Sequence, residues 1–184
     1  MVRSNISLGY AGFAGDIDAW KRFASEIFGL QAVSRDGELF LRADERAWRI
    51  AVSQSEEAGV DFIGLEVDTL GNLAAIAARL LDLGYEASEN RELAKLRQVY
   101  RLVETVAPDG TRIELFTGGL TLSEPFASLT GARFVTGDAG LGHVLLLVPD
   151  IDAALRFFVE GIGLRRTDTI EVVPGSDGIF LNGG

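Results

Sequence analysis

Two hydrophobic periods alternate in blocks along this chain. After Asp16-Ile17-Asp18, the apolar positions Ile17, Trp20, Phe23, Ala24 and Ile27 recur at helical spacing. Asp16 can accept the free amide hydrogens of that helix start, and Gly29 supplies a left-handed stop. Trp20, Phe23 and Phe28 fall on the face expected to pack against a sheet. Short alternating segments follow at Gln31 to Arg35, Glu38 to Arg42 and Trp48 to Ser53, which predict strands. The sequence then runs through the same succession again. Phe62 to Asp68 predicts a strand, and Leu73, Ile76, Leu80 and Leu83 stripe a helix from Leu70 to Leu83. Strands follow at Glu86 to Glu89, Val99 to Val106 and Arg112 to Thr117. Pro108-Asp109-Gly110-Thr111 is a tight turn before the last of these. The charged run Arg91 to Arg97 reads as a solvated excursion between strands.

An internal repeat fixes the unit. Gly15 to Leu30 and Pro149 to Leu164 align without a gap at an offset of 134, with nine of sixteen positions identical. A repeat requires the same supersecondary unit at both places. Unit three therefore predicts a strand from Leu141 through Val148, a helix from Ile151 to about Gly161, and strands at Leu164 to Val173 and Gly178 to Leu181. Between units two and three, Gly118 to Ala139 is rich in Gly, Ser, Thr and Pro and reads as a linker. The expected fold class is α+β, built of paired βαβββ modules. Residues 1–118 would form one complete two-module domain, 119–140 a linker, and 141–184 the first, incomplete module of a second domain.

Composition narrows the chemistry. The 184 residues carry a formal charge of -10, which disfavours nucleic acid and anionic membrane surfaces. The absence of cysteine excludes disulfides, thiolate metal sites and a cysteine nucleophile. No secretory signal core or membrane-length apolar run occurs, so a cytoplasmic protein is expected. Gly118-Gly119 and Gly183-Gly184 lack the strand-helix context of a phosphate-cradling loop. One histidine, His143, without a local acid-base partner makes no Ser-His-Asp triad.

The paired units, the turn-plus-strand Ala107 to Phe116, and the strand bearing Gly142-His143 before Val148-Pro149-Asp150 give the chain a family likeness. It resembles the vicinal oxygen chelate superfamily, and more narrowly the two-domain extradiol catechol dioxygenases of the 2,3-dihydroxybiphenyl dioxygenase type. The resemblance covers about two thirds of such an enzyme and implies that the last part of the C-terminal domain is lacking. In that family the N-terminal domain is metal-free, and the C-terminal domain holds Fe(II), or Mn(II) in some relatives, through two histidines and a glutamate. His143 matches the first histidine; the other two ligands would fall beyond Gly184. The implied reaction is extradiol (meta) ring cleavage of a catechol with O2 as co-substrate, in aromatic-compound catabolism, by an enzyme that is a homo-oligomer at full length. This chain alone is expected to be inactive.

The repeat tests the metal-free expectation internally. The counterpart of His143 in unit one is Gly9, and the equivalent strand of unit two has no histidine. Glu114 occupies the carboxylate position, but a lone strand carboxylate is expected to be solvated or salt-bridged. By strand alternation, His143, Leu145 and Leu147 point one way, with Val144 and Leu146 opposed. The resemblance makes Leu145, Val172 and Phe180 candidate linings of an apolar pocket for an aryl or hydrophobic catechol substituent, although such residues are ordinarily core. Two other readings compete: a non-catalytic small-molecule binding protein of the same superfamily, and a third unit completed by strand exchange with another chain.

Overall fold

Alternation along a strand at Glu38–Arg42 sends Leu39 and Leu41 to one face and Glu38, Phe40 and Arg42 to the other, and the neighbouring strands sort in the same way. The computed structural model describes residues 5–134 and 140–184. The expected first domain and linker thus include residues 1–4 and 135–139, which lie outside the described residues. The elements are β1 (Ile6–Gly15), α1 (Ile17–Phe23), β2 (Gln31–Arg35), β3 (Glu38–Arg42), β4 (Ile50–Gln54), β5 (Gly59–Val67) and α2 (Leu70–Asp82). They continue with β6 (Ser88–Glu89), α3 (Arg91–Arg97), β7 (Val99–Val106), β8 (Arg112–Gly119), α4 (Ile151–Leu155), β9 (Arg165–Val173) and β10 (Ser176–Asn182).

The first eight strands form one sheet in the order β2-β3-β4-β1-β5-β8-β7-β6. Unit one supplies the half ending in β1 and unit two the half beginning with β5. These two strands join antiparallel, while β1 runs parallel to β4 and β5 parallel to β8. This is the α+β, paired-module arrangement expected. Helices α1 and α2 cover one face. Leu39, Leu41 and Val52 pack with α1, and Ile63, Leu65, Ile113 and Leu115 with the α2 residues Leu73, Ile76 and Leu80. No helix among the described residues is long and apolar enough to cross a membrane.

Both repeat copies fold alike. The side chains of Asp16 and Asp150 accept amide hydrogens at the starts of α1 and α4. Each helix then widens into a π turn, Ala24–Phe28 and Arg156–Ile162, and closes on a glycine with positive φ, Gly29 at 70° and Gly163 at 100°. The π turn changes which residues face the sheet. Ala24 and Leu30 are buried, whereas Phe23 and Phe28 are half-exposed and meet edge to face at 5.1 Å. Only Trp20 of the expected aromatic core packs inward.

The strand expected at Leu141 through Val148 is absent. The segment lies without ladder partners, because β9 and β10 pair only with one another in a separate hairpin. Burial still alternates along it, with Leu146 and Val148 packed on the core beneath α2 and Leu145 and Leu147 exposed. The stretch expected to be a linker makes hydrogen bonds to unit one where it is described. Gln31 and Arg42 donate to the carbonyls of Ala127 and Glu124, and Leu129 N–H donates to Gly29.

On the uncovered face, aromatic rings lie over glycines at the β1–β5 junction. Gly64 faces Tyr10 and Gly12 faces Phe62 across the ladder, and a Cβ at either glycine would come within 2.1 Å of the opposing ring. Gly64→Ala and Gly12→Ala should each destabilise the fold by about 1–3 kcal/mol through overpacking. Gly59→Ala, with open space around its Cα, should stay within about 0.5 kcal/mol of the parent. Urea unfolding midpoints measure the difference.

Candidate functional site

Two places were marked by the sequence, the carboxylate position Glu114 and the lone imidazole His143, and the fold treats them in opposite ways. Glu114 projects from β8 onto the face away from α1 and α2. There Tyr10, Phe40, Trp48, Phe62 and Phe116 form an aromatic layer. Tyr10 stacks on Phe116 at 4.6 Å and lies 4.3 Å from Trp48. Helix α3 closes this face with Leu93, Ala94 and Leu96. Its last residue, Arg97, places a guanidinium in the middle of the layer.

Arg97 Nε lies 3.2 Å from Glu114 Oε2, with both side chains only 2% exposed. Arg97 Nη1 donates to Glu38 Oε2 at 2.9 Å, and Tyr10 Oη donates to Glu114 Oε2 at 2.6 Å. The guanidinium also sits 3.9 Å from the centroid of the Phe62 ring. Glu38 and Tyr10 belong to unit one, and Glu114 and Arg97 to unit two. The network therefore ties the two halves together. Burial raises the Glu114 carboxyl above the ordinary carboxylate range, against the opposing pull of Arg97 and the Tyr10 hydroxyl. Burial, reinforced by the Glu114 charge, holds the Tyr10 phenol well above its ordinary value. Burial works against the Arg97 charge, but Glu114 and Glu38 more than offset it, and the guanidinium is held above its usual value.

Glu114 is thus the salt-bridged carboxylate expected. The reading of Arg91 to Arg97 as a solvated excursion is overturned: the run is a capped helix with Ala94 and Arg97 buried. Leu93, Leu96 and Arg97 at helical spacing after Asn90, whose side chain caps the helix, were the available signal. The charges of Arg91, Glu92, Lys95 and Arg97 mask it.

Nor is there room here for an aromatic ligand. The space left between Tyr10, Trp48, Arg97 and Phe116 is about 20 Å³, the size of a water site. Gly9, the repeat counterpart of His143, sits at a β-bulge where its carbonyl accepts from Arg49 Nη1 at 2.8 Å. A Cβ at Gly9 would lie 2.3 Å from the Phe116 ring, so an imidazole cannot stand there without displacing it.

His143 is exposed, between Gly142 with φ 80° and the exposed Val144. Leu145 and Leu147 are likewise exposed, at 76% and 90%. On the hairpin, Ile170 pairs with Gly178 and Asp168 with Phe180, so Phe180 and Ile170 share a face. A Cβ at Gly178 would lie 2.9 Å from Val172 Cγ2, placing Val172 on that face too. Val172 and Phe180 are more than half exposed. They and Leu145 are surface residues and do not close a pocket among the described residues. Those residues also bring no three His, Cys, Asp or Glu side chains together in a group able to hold a metal ion. His143 is a single donor, and the described residues do not by themselves fit an iron site.

Arg97→Met should cost about 3–5 kcal/mol, because it leaves the buried Glu114 carboxylate with only the Tyr10 hydroxyl and the half-exposed Arg112 at 3.9 Å. Since the folded Glu114 value is raised, its contribution to stability is full below the ordinary carboxylate range and falls as pH rises through the folded value. Glu114→Gln should abolish that decline in chemical-denaturation curves recorded from acid to neutral pH. In Arg97→Met the decline should steepen.

A family model described as "Dihydroxybiphenyl dioxygenase BphC D1" matches residues 8–54, which span unit one. The chain is 39% identical over 179 residues to 3-methylcatechol 2,3-dioxygenase of Pseudomonas putida, covering 95% of this chain and 61% of the relative. It is 38% identical over 179 residues to biphenyl-2,3-diol 1,2-dioxygenase of Paraburkholderia xenovorans, covering 93% and 59%. The chain therefore spans about three fifths of the length of these curated relatives. A crystal structure of catechol 2,3-dioxygenase superposes with a TM-score of 0.82 at 29% identity, over 95% of this chain and 65% of that one. An Mn(II)-bound glyoxalase from Novosphingobium aromaticivorans shares the fold alone, with a TM-score of 0.75 at 19% identity over 97% and 58%. In sequence and in fold, these residues are similar to catechol and biphenyl-2,3-diol dioxygenases.

Proposed function

We propose that these residues serve an extradiol (meta) ring-cleavage dioxygenase that acts on a catechol with a hydrophobic or aryl substituent, in the catabolism of aromatic compounds. One observation carries the reading. The likeness to 3-methylcatechol and biphenyl-2,3-diol dioxygenases extends over 179 residues, and so is not confined to the first sheet. Residues 1–118 act as the metal-free domain, 119–140 as the linker and 141–184 as the first module of the catalytic domain. The whole protein works as a cytoplasmic homo-oligomer.

Fe(II) held by two imidazoles and a carboxylate would supply adjacent open positions for a catechol and for O2. Toward such a set this chain contributes His143 alone, and its remaining donors would come from outside the 184 residues. Leu145 shares its side of the segment with His143, and Val172 and Phe180 share one face of the hairpin. As the wall of a site, these three would contact the substituent of the ring and keep water from it. The first sheet contributes no donor, because Arg97 already neutralises Glu114 and Phe116 fills the space at Gly9.

The 184-residue chain, supplied with Fe(II) and 3-methylcatechol or biphenyl-2,3-diol, should give no ring-cleavage product above the buffer rate. Joined to the part of the Pseudomonas putida relative that lies outside the shared region, it should acquire Fe(II)-dependent cleavage, and His143→Ala should abolish it. Robust turnover by the 184 residues alone, or undiminished activity after His143→Ala, would contradict the proposal. Oxygen uptake together with product absorbance provides the assay.

A further inference from the structure

The two repeat copies differ in what their helices touch. In unit one, Phe23, Ile27 and Phe28 are exposed. Their counterparts at the offset of 134 are Phe157, Gly161 and Ile162, all buried, with Phe157 and Ile162 at 0% exposure. They are buried on the first domain: Phe157, Phe158 and Ile162 join the cluster of Leu73, Ile76 and Leu80 on α2, and Phe157 meets Tyr85 edge to face at 5.0 Å.

Two residues make this approach possible. A Cβ at Gly161 would lie 2.7 Å from Leu80 Cδ2, so the glycine lets the π turn settle directly on α2; the isoleucine of the other copy would hold it off. At the edge of the contact, Arg79 of α2 donates from Nε to Gly161 O at 3.0 Å and from Nη2 to Ile162 O at 2.7 Å. These carbonyls end the helix and lack intrahelical partners, and a cation there complements the negative end of its dipole.

Apart from this contact, the third unit is tied to the first sheet by the bond from Ile6 N–H to Gly183 O at 3.0 Å and by the half-buried Leu164 and Leu181. Every residue of β9 is exposed except the half-buried Thr169. Its buried apolar side chains among the described residues, Ala154, Phe157, Phe158 and Ile162, all lie in the cluster shared with α2. Leu146 and Val148 pack on that cluster as well, which turns the opposite side of the segment, with Leu145 and Leu147, outward.

We propose that Arg79 and Gly161 are positioning residues: they lock the unit bearing His143 onto α2 and so fix the direction in which His143 is presented. That the lock serves catalysis rests on the dioxygenase reading, whereas the lock itself does not. The chain has no cysteine, so spin labels at Glu57→Cys and Leu147→Cys, both exposed positions, report the placement of the third unit relative to the first sheet.

The parent chain should give one narrow distance distribution. Gly161→Ile, which installs the residue of the other copy, should broaden it, as should Arg79→Met, and Arg79→Lys should restore much of the narrow component. In Gly161→Ile, amide exchange protection over 151–164 should fall about tenfold or more, while amides at Leu102, Ile113 and Leu115 keep theirs. A purely structural contribution would instead lower protection everywhere and leave the distance distribution of the folded protein narrow. Unchanged distributions in both variants would overturn the lock whatever the enzyme does. A joined protein that stays narrow yet cleaves no catechol would defeat the dioxygenase reading and leave the lock standing.

Discussion

A guanidinium is held out of water between carboxylates from two halves of a sheet, and much of this chain's organisation depends on that contact. Arg97 meets Glu114 across β8 and Glu38 across β3, and it rests on Phe62. A charge this deeply buried is tolerated only with its partners in place. The face away from α1 and α2 must therefore close around it, with α3 above and Tyr10, Trp48 and Phe116 beside it. Once closed, the space beside Tyr10 and Phe116 is too small for a catechol, and the strand carboxylate at the repeated ligand position is already paired. On the proposed function, the first sheet is a support and the chemistry belongs to the third unit.

Much of this was legible in the sequence, for identifiable reasons. β2, β3 and β7 have the ends that alternation predicts, and β3 and β7 show the cause, with one face toward a helix and one in the aromatic layer. The repeat was equally informative: identical Asp-Ile-Asp starts and Gly-Leu ends produced the same capped helix twice. The π turn left no such trace. In unit one Phe23 and Phe28 stand half-exposed, where an unbroken 3.6 period places them inside, while their counterparts Phe157 and Ile162 are buried on α2. Arg97 was hidden for a different reason. A burial argument weighs charge before geometry, and nothing local announces that an arginine will find Glu38 and Glu114, 59 and 17 residues away.

The candidate site was legible only as an address. His143 and Leu145 share a side, as alternation requires, but that side is exposed instead of turned into a pocket, Val144 is exposed with them, and the segment is not a strand. A strand needs neighbours to satisfy its backbone, and β9 and β10 offer their edges only to each other among the described residues. Val172 and Phe180 similarly share a face, as strand periodicity requires, without a facing wall. The same physics that closes the first sheet leaves this unit open: there, aromatic rings cover the backbone of glycines, while here Gly178 is met by Val172 from its own hairpin and the surface beyond is exposed. The unit is held from behind by α2 and presents its front.

Anomalous diffraction from Mn(II)-loaded crystals of this chain joined to the remainder of its Pseudomonas putida relative would locate the metal with respect to the two halves of this division. A filled first sheet and an outward-facing third unit predict a single strong peak within bonding distance of an imidazole nitrogen of His143. They also predict no peak near Glu114, with Arg97 still seated against it. A peak on Glu114 with Arg97 displaced, or a metal bound with His143 left in solvent, would contradict the assignment of support to the first sheet and chemistry to the third unit.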